Sequence, residues 1–153
     1  MKRKLLVAAV TAAVYFALFS WFHVSGTEIR YAKDISADCT VTVSVYGKEP
    51  TTGIGTGGWQ ETETHTLTAE QTEELKQLLL SSTFRRDFSD TLVWQSEEKE
   101  KRYDIFADFG DGQRVLSIHA AGNHHITITN QFAGHFLLVR NDGWEETLLA
   151  ILA

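Results

Sequence analysis

The chain of 153 residues carries 14 Lys and Arg against 20 Asp and Glu, a formal net charge of −6, and a single cysteine. This acidic balance excludes a nucleic-acid-binding protein of the usual kind, which needs clustered basic residues to neutralise phosphates. One cysteine cannot form an intramolecular disulfide, so the packing of a hydrophobic core must stabilise the chain.

The first predicted element is a membrane-spanning helix. The run from Leu5 to Val24 is uncharged and follows the basic residues Lys2, Arg3 and Lys4. A helix of this length spans about 30 Å, which is the thickness of the hydrocarbon core of a bilayer. Because basic residues stay on the cytoplasmic side, we predict a single-pass anchor in the cell membrane, with the N-terminus in the cytoplasm and the C-terminal domain outside.

A cleaved signal is the alternative, because a signal peptidase could accept the small residues at 24–26. Cleavage there would release a secreted domain. Two features favour the anchor: the apolar run is longer than the core of a usual signal peptide, and Trp21 and Phe22 suit the outer interface of a spanning helix. We therefore predict a signal-anchor segment, residues 1–26, and one extracytoplasmic domain, residues 27–153.

The domain is predicted to begin with a β-hairpin. Val41, Val43 and Val45 alternate with polar residues, which is typical of a strand with one buried face. Cys39 begins this alternation, and we interpret it as a small buried side chain. Threonines at every second position of 59–66 predict an exposed second strand.

Four glycines and the only proline of the chain separate these two strands. Gly53, Gly55 and Gly58 have the spacing of a dinucleotide-binding fingerprint, but no apolar helix follows, so we interpret the match as accidental. The loop formed by Gly55, Gly57 and Gly58 is instead a candidate binding loop. Trp59 would then anchor a partner, or else pack beneath its own loop.

Two helices are predicted from their capping residues. Thr68 and Gln71 have the spacing of a capping box, and the leucines of 75–79 share one face of the helix that follows. A closing helix near the C-terminus is predicted to be capped by Asp142, with Glu145 three residues later. Between the helices, the sequence predicts an antiparallel meander.

A turn signal predicts the register of this meander. Asp111 and Gly112 form a strong two-residue hairpin signal, which needs a positive φ at both positions. Pairing outward from this turn places Ile105 opposite Ile118. Ala107 then lies opposite Leu116 and Tyr103 opposite Ala120, and all six side chains are compatible with one buried face.

For the next hairpin we predict a three-residue loop at 121–123. A two-residue turn would direct Ile126 and Ile128 away from the buried face, because a slip of one residue turns every side chain to the other face. The predicted register places His125 opposite His119.

Asp104, His119 and His125 are then predicted to form a row across three strands. Opposed Cβ atoms lie about 4.5 to 5.5 Å apart, which allows two imidazoles to bind one zinc or other divalent ion. Asp104 would lie about 10 Å from His125, so we expect it to orient His119 through a hydrogen bond. The alternative is a solvated row in which Asp104 and His119 form a weak surface pair.

Ser117 lies two residues before His119 on the same predicted face. A nucleophile, a base and an orienting carboxylate can therefore be named. However, Ser117 lies within a strand, with no sharp turn to expose it and no glycine-supplied oxyanion hole. The sequence therefore argues against a hydrolase, and we assign no catalytic residue.

Together these elements predict an α+β domain behind an N-terminal transmembrane helix. The domain contains a hairpin, a meander of four to five antiparallel strands and two helices on one sheet face. Without the three basic residues at its start, the chain has 11 Lys and Arg and 20 Asp and Glu. A nucleic-acid partner is therefore not expected. We favour a non-enzymatic module that binds another protein and requires no cofactor. The alternative is a metal-binding protein that uses His119 and His125.

Overall fold

The computed structural model describes residues 2–48, 58–87, 101–121, 125–128, 136–139 and 143–153. The helices are α1 (Lys2–Phe22), α2 (Ala69–Ser81) and α3 (Trp144–Leu152). The strands are β1 (His23–Ser25), β2 (Thr40–Lys48), β3 (Trp59–Thr66), β4 (Thr83–Asp87), β5 (Lys101–Asp108), β6 (Val115–Ala121), β7 (His125–Ile128) and β8 (Phe136–Val139). The predicted α+β class is confirmed.

The described strands form one antiparallel sheet in the order β1-β4-β8-β7-β6-β5-β2-β3. The predicted hairpin β2–β3 continues into the meander because β2 also pairs with β5, with Val43 opposite Ile105. The sequence does not predict β1, which lies at the end of the apolar run, or β4, which contains two arginines. These two strands extend the sheet beyond β8.

The core lies between one face of this sheet and helices α2 and α3. Its largest fully buried side chains are Trp144, Tyr103, Phe84, Ile35, Leu75, Leu79, Ile105, Ile118, Ile126, Ile128 and Leu148. The alternate valines of β2 are buried as predicted, whereas Cys39 precedes the strand and is only half-buried. The opposite face of the sheet is left for solvent or for a partner.

The predicted capping box of α2 is present. The amide of Gln71 donates to Thr68 Oγ1 at 3.3 Å, and the amide of Thr68 donates to Gln71 Oε1 at 3.0 Å. The same Gln71 side chain donates through Nε2 to the carbonyl of Ile151 at 2.7 Å. The Gln71 side chain therefore completes the N-terminal cap of α2 and also connects α2 to α3.

The predicted cap of α3 is wrong. The helix begins after Gly143, which makes no side-chain capping bond, and Asp142 lies outside the described residues. Glu145 instead accepts a hydrogen bond of 2.7 Å from the buried Tyr103 hydroxyl. Burial and this bond raise the pKa of Tyr103 far above its ordinary value, so the hydroxyl stays a donor that ties the sheet to α3.

Helix α1 is long and apolar enough to span a membrane. The stretch Lys4–Phe22 has a mean hydropathy of 2.1, and none of it is buried against the domain. The predicted spanning segment, which ends at Val24, nevertheless extends two residues beyond the end of the helix. His23 and Val24 belong to β1, and the Val24 side chain is only 1% exposed. Helix α1 and the folded domain therefore follow each other without a linker.

The β5–β6 hairpin has the predicted register but not the predicted turn. Ile105 lies opposite Ile118, as expected. Positive φ occurs at Gly110 (71°) and Gly112 (69°) and not at Asp111. The turn is therefore wider than two residues, although it is centred at the same place.

Side-chain bonds from Asp111 close this wider turn. Its carboxylate accepts hydrogen bonds from the amides of Gln113 at 3.0 Å and Arg114 at 2.8 Å, and from the Arg114 guanidinium. These bonds hold the pKa of Asp111 well below its ordinary value. An aspartate that bonds to the following backbone is a common way to form a turn without positive φ at the aspartate itself.

The β6–β7 register differs from the predicted one by two residues. Ile118 lies opposite Ile128 and not opposite Ile126. A shift of two residues keeps each side chain on its face, so both isoleucines are still buried as predicted. Burial alone cannot distinguish these two registers. The prediction that His125 lies opposite His119 is wrong for this reason.

Candidate functional site on the outer sheet face

We call the sheet face opposite α2 and α3 the outer face. On β2, β5, β6 and β7 it is formed by alternate residues whose intervening neighbours are mostly buried. The edge strand β3, which is largely exposed on both faces, adds the residues that pair with outer-face residues of β2. Its described members include Thr42, Ser44, Tyr46, Trp59, Glu61, Thr64, Arg102, Asp104, Phe106, Val115, Ser117, His119 and Thr127. It presents hydroxyls, charged groups and aromatic rings on a rigid sheet.

Asp104, His119 and Ser117 form a hydrogen-bonded row on this face. His119 Nδ1 lies 2.7 Å from Asp104 Oδ1, and His119 Nε2 lies 3.5 Å from Ser117 Oγ. The carboxylate accepts from Nδ1–H, so in the neutral ring the lone pair lies on Nε2, on the side of the Ser117 hydroxyl. The Asp104 contact is the one expected of an orienting carboxylate.

The Asp104 carboxylate also raises the pKa of His119 above its ordinary value of 6.5. The hydrogen bond to Asp104 has the largest effect, partial burial opposes it, and the negative charge of Asp104 adds to it. The His119 and Asp104 side chains are 34% and 40% exposed, so water screens their attraction. The pair therefore fixes the orientation of the imidazole and contributes little to stability.

His125 is not opposite His119. Thr127 occupies that position, and His125 is paired with Ala121. The described part of His125 is its backbone, which lies at a diagonal register position relative to His119. No group of three or more His, Cys, Asp or Glu side chains in the described residues is arranged to hold a metal ion.

The candidate binding loop is described only at its end. Gly55 and Gly57 lie outside the described residues, and Gly58 is exposed. Trp59 begins β3 and is half-buried, with the guanidinium carbon of Arg102 4.0 Å from the centre of its ring. A cation–π contact with β5 therefore positions Trp59 on the outer face.

Hydroxyl groups on the β2–β3 side of the outer face bind each other and a carboxylate. Ser44 Oγ lies 3.2 Å from Thr64 Oγ1, and Thr64 donates to Glu61 Oε1 at 2.7 Å. The Tyr46 hydroxyl donates to Glu61 Oε2 at 3.2 Å. Ser117 differs from these groups because its described side-chain partner is an imidazole.

Two apolar side chains of the outer face are not singled out by the sequence analysis. Phe106 is 42% exposed and lies opposite Ser117, and Val115 is 39% exposed two residues before Ser117. The alternation of β5 could have revealed Phe106, because it occupies a position of the polar face. These side chains form an exposed apolar surface beside the hydrogen-bonded row.

Comparison with known proteins finds no matching family model, no matching curated protein and no matching solved structure. The function of the outer face must therefore be argued from its own geometry.

Proposed function

We propose that the chain is a membrane-anchored extracytoplasmic domain that binds a protein partner through its outer face, with binding rather than catalysis as its primary role. The observation that supports permanent anchoring is the position of β1. The residues at which a signal peptidase would cut are part of the folded domain. Each of them makes contacts that cleavage would remove.

Val24 and Gly26 lie inside the domain. Val24 is 1% exposed and pairs with the fully buried Phe84. The amide of Gly26 donates to the carbonyl of Ser82 at 2.9 Å, and a Cβ atom at this position would lie 1.7 Å from the carbonyl oxygen of Leu79. Cleavage after Gly26 would remove an edge strand, a core side chain and this close backbone contact.

Ser25 begins the short helical turn that follows β1. Its hydroxyl accepts from the amide of Thr27 at 3.3 Å, and its own amide donates to Glu28 Oε2 at 3.1 Å. Cleavage after Gly26 would remove both bonds, because Ser25 would no longer belong to the domain. The apolar segment therefore acts as a retained anchor in this proposal.

The outer face supports a binding role because it combines rigidity with exposed apolar area. Helices α2 and α3 cover the other face, and α1 does not pack on the domain. The exposed Phe106 and the half-buried Trp59 lie among charged and hydroxyl groups, which is the composition of a protein-binding surface. The acidic balance of the domain favours a neutral or basic partner.

The experiment is to express the full chain, separate membrane and soluble fractions, and measure the mass of the recovered protein. We expect a mass that includes residues 1–26, in the membrane fraction and resistant to an alkaline wash. A control variant, V24A/G26A, places alanines at both recognition positions. This variant should be cut, which shows that the enzyme can reach the site. A wild-type chain that begins at Thr27 would overturn the proposal.

A second candidate function is the binding of a divalent metal ion by His119. The hydrogen bond from His119 Nδ1 to Asp104 favours this function, because metal-binding histidines usually donate their second ring nitrogen to a carboxylate. His125 would contribute from its diagonal position. Calorimetry with zinc should then show binding that is lost in H119A/H125A and kept in the control H124A. Binding that is absent in the wild type would exclude this role.

A further inference from the structure

We infer that Ser117 is a nucleophile that accepts an acyl group, with His119 as its general base and Asp104 as the positioning residue. The expected substrates are activated carboxylic acid derivatives, such as aryl esters and thioesters. This inference goes beyond the proposed function, because binding a partner requires no covalent step. It depends on the outer face alone and not on retention of the anchor.

The first support is the assignment of the two imidazole nitrogens. Asp104 Oδ1 is 2.7 Å from Nδ1 and Ser117 Oγ is 3.5 Å from Nε2, so His119 lies between the carboxylate and the hydroxyl. This is the order in which an orienting carboxylate, a base and a nucleophile must be connected. The distance of 3.5 Å is long for a hydrogen bond, which is common in nucleophile–base pairs without substrate.

The second support is the difference between Ser117 and Ser44. Both serines are on the outer face, in β6 and β2. Ser44 lies opposite Asp104 in the register, but its described side-chain hydrogen bond is to the hydroxyl of Thr64, which is no base. Ser117 lies next to an imidazole, which can take its proton as the oxygen attacks. The fold therefore distinguishes one serine from another on the same surface.

The third support is the exposed apolar area beside Ser117. Phe106 lies opposite Ser117 on β5, and Val115 is on the same face two residues earlier. Their exposed side chains provide a surface on which an aryl or short alkyl group could pack next to the hydroxyl. The exposure of these two side chains, 42% and 39%, would decrease when such a group is bound.

The proposed step transfers the acyl group to serine and releases an alcohol or thiol. Ser117 Oγ attacks the carbonyl carbon while its proton moves to His119 Nε2. The tetrahedral intermediate collapses, the bond from carbon to the leaving group breaks, and the leaving group takes the proton from Nε2. The products are the Ser117 ester and the free alcohol or thiol, and no redox partner or additional reactant is required.

The strand context of Ser117 limits the chemistry to activated substrates. Strand β6 is paired with β5 along its length and, from Ile118 to Ala121, with β7, so its backbone amides are used largely within the sheet. The negative oxygen of the intermediate would depend on water and on side chains. A good leaving group is therefore needed, and we expect one slow acylation per chain and not rapid turnover.

The test is to treat the full chain in neutral detergent micelles with p-nitrophenyl acetate. Release of p-nitrophenolate gives the rate, and mass spectrometry of peptides locates the acetyl group. We expect acetylation of Ser117, its loss in S117A, and a rate about 100-fold lower in H119A. The control S81A, which removes an exposed serine of α2 outside the outer face, should react like the wild type. D104N should slow the reaction, and D104E should recover part of the rate, as a positioning residue requires.

Acetylation confined to lysines, or an equal rate of serine acetylation in H119A, would overturn the inference. Thermal unfolding of each variant separates loss of reactivity from loss of structure. If S117A does not fold, S117C provides a second measurement, because a thiol beside His119 should also be acetylated. If an S117C chain folds and its acetylation at this position is no slower when H119A is added, the result would have the same negative meaning.

Discussion

At the scale of single residues, Gly26 is the glycine at which an added Cβ atom would lie nearest to other backbone atoms, among the glycines that the structure describes. A Cβ atom there would lie 1.7 Å from the carbonyl oxygen and 2.8 Å from the carbonyl carbon of Leu79. G26A must therefore move the backbone, and we expect it to lower the free energy of unfolding by about 1–3 kcal/mol. In G47A the new Cβ would meet only a Thr62 methyl group at 3.2 Å, so this control should cost less in the same denaturant titration.

His119 gives a prediction about pH. The pKa of His119 is raised in the folded chain. The stabilisation of the fold by the Asp104–His119 pair is therefore complete below pH 6.5 and is lost as the pH rises through the raised pKa. An NMR titration should give a pKa above 6.5 for His119 in the wild type, and one closer to 6.5 in D104N. The melting temperature of the wild type should show the matching small decrease with rising pH. A His119 pKa that is the same in both chains would contradict the assigned cause.

The Asp104–His119 contact could be predicted because one hairpin determines it. A turn signal and the alternation of β5 and β6 specify the register between them. The relation between His119 and His125 depends on a second loop, whose length hydrophobic burial determines only to within two residues. The exposure of Phe106 could be predicted only from the fact that an apolar residue occupies a position of the polar face.

At the scale of elements, the capping box of α2 provides a measurable local contribution. T68A removes the side-chain acceptor for the Gln71 amide and should cost about 1 kcal/mol in the free energy of unfolding. The exposed Thr66, two residues earlier in β3, is the matched control, and T66A should change stability by no more than about 0.5 kcal/mol. An equal loss in both variants would show that the cap contributes nothing specific.

The elements that local signals specify were predictable, and those that depend on distant partners were not. Helix α2 and the hairpin β2–β3 follow from a capping box and from alternation within one segment. Strand β1 has only three residues at the end of an apolar run, so hydropathy assigns it to the anchor. Strand β4 is stabilised by pairing with β1 and β8, neither of which is near it in the sequence. The start of α3 was misplaced by one residue, because the predicted side-chain cap is not used and the helix follows Gly143.

At the scale of the whole molecule, the sheet connects helix α1 to the candidate site. Strand β1 lies at one edge, directly after α1, and β5 and β6 lie toward the other end of the strand order. The outer face is thereby separated from the end of α1 by several strands. If α1 spans a membrane as proposed, a partner could approach Asp104 and His119 at a distance from the bilayer, as the proposed protein-binding role requires.

The dependence of the domain on β1 can be tested with two secreted forms. In both forms a cleavable signal replaces the anchor, and the mature chain begins either at His23 or at Thr27. The form that begins at His23 keeps the buried Val24 and the Gly26 contacts, so we expect cooperative unfolding. The form that begins at Thr27 lacks an edge strand and a core side chain, and its melting temperature should be lower by at least about 10 °C or its yield should collapse. Equal melting temperatures would show that β1 is dispensable, and the domain would then be compatible with release from the membrane.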